Sequence, residues 1–185
     1  ISDTASNLAT NTGSYVTGAV DVTVTDGITA AELVTINALT SGGITLNDTD
    51  DTLTDSTADL VLAFTGTVTA YTGAITISDA AEATIAATDL SDIGGETAGV
   101  VTVSNAIAIS GTAAEVTAAL VTTETLVVAA TATATISDAI TIAQLTAIDA
   151  KTTGTLTYTA ISDTASNLAT NTGSYVTGAV DVTVT

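Results

Sequence analysis

The chain has no cysteine, histidine, proline, tryptophan or methionine, and its only basic residue is Lys151. Without cysteine there is neither a disulfide framework nor a thiolate metal site, and without histidine the commonest catalytic base and imidazole ligand is missing. One base against 20 acids gives a formal charge of -19 and a pI near 4.1, so every long-range field is negative. Nucleic acid and anionic lipid need a basic footprint and are excluded as surface partners; cations are the natural counterpart. The longest weakly polar stretch, Leu126 to Ile136, is broken by threonine and too short to span a bilayer, so no membrane insertion is expected. The chain opens at Ile1 without a basic region and apolar core, which places any export signal outside this window. High charge alone would suggest disorder, but 46% of the residues are apolar, rich in Val, Ile, Leu and Ala, and a folded chain is expected.

The same 25 residues stand at Ile1 to Thr25 and at Ile161 to Thr185. Identity of that extent points to tandem duplication, because shared folding constraints would let exposed positions drift. Residues 1–160 are read as one long-period repeat and 161–185 as the start of the next identical copy. A shorter period lies inside the long one. Val22 to Gly43 aligns without gaps on Ala134 to Thr155, and ISDTASNL at Ile1 has relatives in LTDSTADL at Leu53, ISDAAEAT at Ile77 and ISGTAAEV at Ile109. With Asp3, Asp26, Asp55, Asp79, Gly111 and Asp138 as markers, the period divides into six unequal units of about 27 residues.

Four segments carry or nearly carry a capping box, in which a first side chain accepts from the third backbone N–H and a Glu or Gln reaches back: Thr29 to Glu32, Asp79 to Glu82, Thr112 to Glu115 and Thr141 to Gln144. Helical spacing of apolar residues follows at Leu33, Ile36 and Leu39 and at Leu145 and Ile148, with Gly42 and Gly154 placed to end the helices. Between them the period changes to two, as in Val20, Val22 and Val24, Ile44 and Leu46, Val68 and Ala70, Ile75 and Ile77, or Val101 and Val103. Alternating strand and helix favours parallel strands with right-handed crossovers. The expected fold class is α/β, a parallel solenoid of strand-plus-short-helix coils, with an all-β solenoid or tandem β-sandwiches as the alternative.

The densest acidic cluster is Asn47-Asp48-Thr49-Asp50-Asp51 with Asp55 beyond it. Closely spaced oxygen ligands on a loop suit Ca2+, so Asp48, Asp50, Asp51 and Asp55 are the candidate metal ligands, although the glycine and terminal glutamate of an EF-hand are missing. The bland reading is a solvated turn between Leu46 and Leu53. If the marker aspartates stack, they form an edge ladder whose mutual repulsion must be offset by helix N-termini or by cations, and helix capping is the favoured role. Recurrent Thr-x-Thr pairs such as Thr23/Thr25 and Thr67/Thr69 are read as ordinary exposed β-propensity rather than an ice-binding rank. Asn47-Asp48-Thr49 also matches a glycosylation sequon, a pattern that chance readily supplies. No unique cleft of converging carboxyls is implied by repeated units, so no enzyme activity and no catalytic residue are expected.

ISDTASNL, ITIAQLTAIDAKTTG and TLTYTAISDTASNL resemble the repeat regions of very large secreted or cell-surface proteins of Gram-negative bacteria and cyanobacteria, of hemolysin-like or adhesin-like kind. The resemblance implies export and a role as adhesin, surface layer or extracellular fibre. The glycine-rich Ca2+-binding nonapeptides of many such proteins are absent here. The expected function is a structural protein of an extracellular rod, filament or surface layer, its partners being further copies of itself end to end, covalent or non-covalent. The rival is an adhesin stalk or binding module with acidic turns stiffened by Ca2+.

Overall fold

The structure, a computed structural model, describes residues 1–47, 52–69 and 71–185. In chain order its first elements are β1 (Ser2–Asp3), α1 (Ala5–Thr10), β2 (Val22–Val24), α2 (Ala30–Leu39), β3 (Ile44–Leu46), β4 (Leu53–Asp55), α3 (Thr57–Ala63), β5 (Ile75–Ile77), β6 (Thr84–Ala86) and α4 (Ala87–Gly95). The remainder are β7 (Val101–Val103), β8 (Ala108–Gly111), α5 (Ala113–Leu120), β9 (Val127–Val128), β10 (Thr133–Ile136), α6 (Ile142–Asp149), β11 (Leu156–Thr157), β12 (Ala160–Asp163), α7 (Ala165–Thr170) and β13 (Asp181–Val184). The chain is thus mixed α/β, with seven α-helices among the described residues. It forms two compact units, residues 1–79 with 92–104, and residues 80–91 with 105–185. The residues of α4 divide between them.

In the first unit β1, β2 and β3 form one parallel sheet in sequence order, and β4, β5 and β7 form part of another. The pairing follows from the alternation in the sequence. Val22 and Val24 of β2 and Ile44 and Leu46 of β3 point inward and are buried, while Thr23 and Thr45 lie opposite each other on the outer face. Leu53, Ile75 and Val101 stack likewise, with Thr54, Thr76 and Thr102 in file outside them. Each three-residue strand so buries one or two branched side chains and leaves a hydroxyl toward water, an arrangement that β-branched residues satisfy on both faces. In the second unit β6, β8, β10 and β11 are parallel in sequence order, and β12 pairs with β13.

The steps between paired residues are nearly constant. Ser2 faces Thr23 and Ala160 faces Asp181, steps of 21; Val22 faces Ile44, Leu53 faces Ile75 and Ala134 faces Leu156, steps of 22; Ala108 faces Thr133, a step of 25; Ile75 faces Val101, a step of 26.

Three of the four capping boxes form. Thr29, Thr112 and Thr141 accept from the N–H groups of Glu32, Glu115 and Gln144, whose side chains return to the cap N–H at 3.0, 2.7 and 3.1 Å. The fourth does not: Glu82 lies at φ 64° in a turn, and helix α4 starts later, at Ala87. The physical reason lies in the frame of the repeat. After the markers at 3, 55, 111 and 163 comes a hydroxyl N-cap, Thr4, Ser56, Thr112 or Thr164, each accepting from the N–H three residues on. After Asp79 comes Ala80, which has no oxygen to offer. Three of the remaining helices, α1, α3 and α7, are only six or seven residues long, and Leu8 and Leu60 anchor the first two.

Candidate functional site

No catalytic constellation emerges; the recurrent geometry is of contacts between one strand-helix segment and the next. Among the described residues no three acidic side chains gather where they could hold a metal ion. Of the four residues expected to bind Ca2+, Asp48, Asp50 and Asp51 lie outside the described residues, as do Thr49 of the sequon and Ala70 of an expected strand. Asp55 ends β4, and its Oδ1 accepts the Ser56 N–H at 2.8 Å.

The marker aspartates have a definite task. Asp26 Oδ1 accepts from the N–H of Ala5, the first residue of α1, at 2.7 Å, and Asp79 Oδ2 accepts from Thr57 at the start of α3 at 2.7 Å. Asp138 Oδ1 takes the N–H of Ala113 on α5 at 2.7 Å, and Asp163 Oδ2 that of Ile142 on α6 at 3.0 Å. Each carboxylate therefore closes the N-terminus of the helix that precedes it by 21 to 25 residues. The first-turn N–H groups of a helix have no partner within it, and a negative charge there meets the positive end of the helix dipole. The ladder of acids is thus neutralised by helix ends without any cation. It skips α4: the marker there is Gly111, and a Cβ on it would stand 3.0 Å from the Cβ of Ala87, the first residue of that helix.

Asp163 also accepts from Asn167 Nδ2 and Thr164 N–H, both at 2.8 Å. These donors, the Asn167 amide first, hold its carboxyl below the usual aspartate range, and the Ile142 N–H adds to them. Asp3, the same residue in the first copy, is lowered by Asn7 and Thr4 in the same way.

A second recurrent contact escaped the reading of the sequence. Gly42 and Gly154 do not terminate helices; they admit a neighbouring backbone. A Cβ at Gly42 would stand 2.5 Å from the carbonyl carbon of Val20, at Gly99 2.5 Å from that of Gly73, and at Gly154 2.5 Å from that of Ala132. In each case the threonine two residues earlier completes the corner. Thr40 Oγ1 donates to Val20 O and accepts from Gly42 N–H at 2.9 Å; Thr97 Oγ1 donates to Gly73 O and accepts from Gly99 N–H at 2.9 Å. Thr152 Oγ1 donates to Ala132 O and accepts from Gly154 N–H at 3.1 Å. The signal was present as Thr-x-Gly, at Thr40-Ser41-Gly42, Thr97-Ala98-Gly99 and Thr152-Thr153-Gly154. Its meaning depends on which backbone lies alongside, which composition and local spacing do not reveal.

No protein-family model, curated protein or solved structure matches this chain.

Proposed function

We propose that this chain is a structural repeat of an extracellular rod, filament or surface layer, built as a parallel solenoid of strand-plus-helix coils. The observation that carries the reading is the near-constant step of 21 to 26 residues between parallel partners, in sheets whose strand order follows the sequence. A doubly wound domain reverses its strand order at a switch point; a coil laid on the previous coil does not. The capping aspartates and the Thr-x-Gly corners support it further, since both join residues one such step apart. On this reading the 160-residue period holds about seven coils, one more than the six sequence units, because each helix begins a few residues later in its coil than the last. Asp26 caps α1 but α2 starts at Ala30; Asp138 caps α5 but α6 starts at Ile142.

The mechanism is mechanical reach. Copies add length through repeated contacts, and a net charge of -19 opposes lateral clumping. The alternative, a stalk stiffened by Ca2+, draws on residues outside the described ones and on Asp55, whose Oδ1 is engaged with Ser56, so the plain rod is preferred. Export and a place at the cell surface come with the resemblance to giant surface-protein repeats. Small-angle scattering of concatemers of the 160-residue period tests the rod. Length is expected to grow in proportion to copy number at constant cross-section; a radius of gyration rising only as about the 0.38 power of chain length would contradict it.

A further inference from the structure

The identical segments 1–25 and 161–185 fold alike but are covered on opposite sides. In both, a threonine caps a six-residue helix, the C-cap asparagine, Asn11 or Asn171, sits in the left-handed region, and its side chain closes on the backbone N–H and C=O of Val16 or Val176. Their surroundings differ. In the first copy Val22 and Val24 are 1% and 0% exposed; in the second their equivalents Val182 and Val184 are 44% and 64% exposed. Ala5 and Leu8 are buried, while Ala165 is exposed and Leu168 half-buried. On the other side the order is inverted: Ile161 is fully buried beneath the bridge from Ile140, and the Tyr175 ring meets Tyr158 edge-on, while Ile1 and Tyr15 are exposed. A groove of about 300 Å3 lined by Ile1, Asp3, Leu8 and Tyr15 marks that uncovered side.

What covers the first copy is therefore the template for what the second copy accepts. Residues 26–47 lie on it: β3 pairs with β2, Asp26 caps α1, Thr40 donates to Gly18 O and Val20 O, Gly43 N–H donates to Asp21 Oδ1 at 2.8 Å, and Val22 N–H donates to Gly43 O at 2.8 Å. Since every one of these acceptors and apolar positions recurs at 161–185 with the same local geometry, we infer that the face formed by Leu168, Val182 and Val184 is a preformed docking surface for residues 26–47 of a further copy of this sequence. The incoming strand lies parallel to β13 with Ile44 opposite Val182, its aspartate takes the Ala165 N–H, and its threonine reaches Gly178 O and Val180 O. This rests on the array proposed above and names the segment and register that join one copy to the next.

The test is the present chain extended after Thr185 by residues 26–47, against the same extension with its residues scrambled. Amide hydrogen exchange is followed at 182–184. The native extension is expected to slow exchange there at least about tenfold relative to the scrambled one. Val182→Asp is expected to leave the melting temperature of the unextended chain unchanged but to remove the protection in the extended one, whereas Val22→Asp destabilises both. Equal exchange with both extensions, or protection that survives Val182→Asp, would overturn the docking surface. Neither result decides the rod, whose own test is the growth of length with copy number.

Discussion

At the scale of single residues, the contacts joining one segment to the next are few and sharply defined. Thr152 is buried, bridging Ala132 O and Gly154 N–H, so Thr152→Val leaves both groups without that partner and is expected to cost about 1–3 kcal/mol by denaturant titration. Gly154→Ala forces a methyl against the Ala132 carbonyl and is expected to cost about 1–3 kcal/mol, while Gly178→Ala, with open space around it, stays within about 0.5 kcal/mol. Equal effects of the two alanines would show that the close approach is unimportant. Asp163 makes stability depend on pH. Its carboxyl stays ionised in the native chain at pH values where an unfolded aspartate, with a pKa of about 3.9, has taken up a proton. Its contribution is therefore fully present above that unfolded value and lost as pH falls through the lower native one. Glu96 acts in the opposite sense, since burial and then Asp92 push its carboxyl up. The comparison of wild type with Asp163→Asn isolates the first effect: the gap between their melting temperatures should narrow on acidification from about pH 7 to about pH 3, and a gap independent of pH would refute the assignment.

At the scale of elements, what could be read in the sequence is what is local. The reciprocal caps at Thr29, Thr112 and Thr141 join residues three apart, and all three form. Thr112→Ala with Glu115→Ala is expected to destabilise by about 1 kcal/mol, read as a lower denaturation midpoint at unchanged slope; no change would mean that packing of Val116 and Leu120 alone holds α5. The strands were legible for the same reason, since Val-Thr-Val and Ile-Thr-Ile set the buried face by themselves. Helices α1, α3 and α7 carry a hydroxyl cap without the answering Glu or Gln side chain, so no reciprocal box announces them. The Asp79 frame misled because the cap belongs one position later, where alanine stands. Which carboxylate caps which helix, and which glycine faces which carbonyl, are relations across more than twenty residues. They follow from register, and register is fixed by the summed fit of many side chains rather than by any motif.

At the scale of the whole molecule, the 160-residue identity says that copies recur, and the parallel steps say how one copy advances. The central claim is that successive segments are laid as coils of one solenoid. Coils in a parallel sheet stand about 4.8 Å apart, so about seven of them advance the axis by roughly 34 Å for each period, against roughly 29 Å if the six sequence units were the coils. Beads of separate domains would advance by a strand length plus a linker and show no coil spacing along the axis. Fibre diffraction from aligned concatemers decides between these. A meridional reflection near 4.8 Å together with an axial period of roughly 34 Å is expected; a period well above about 40 Å with no meridional intensity near 4.8 Å would contradict the solenoid.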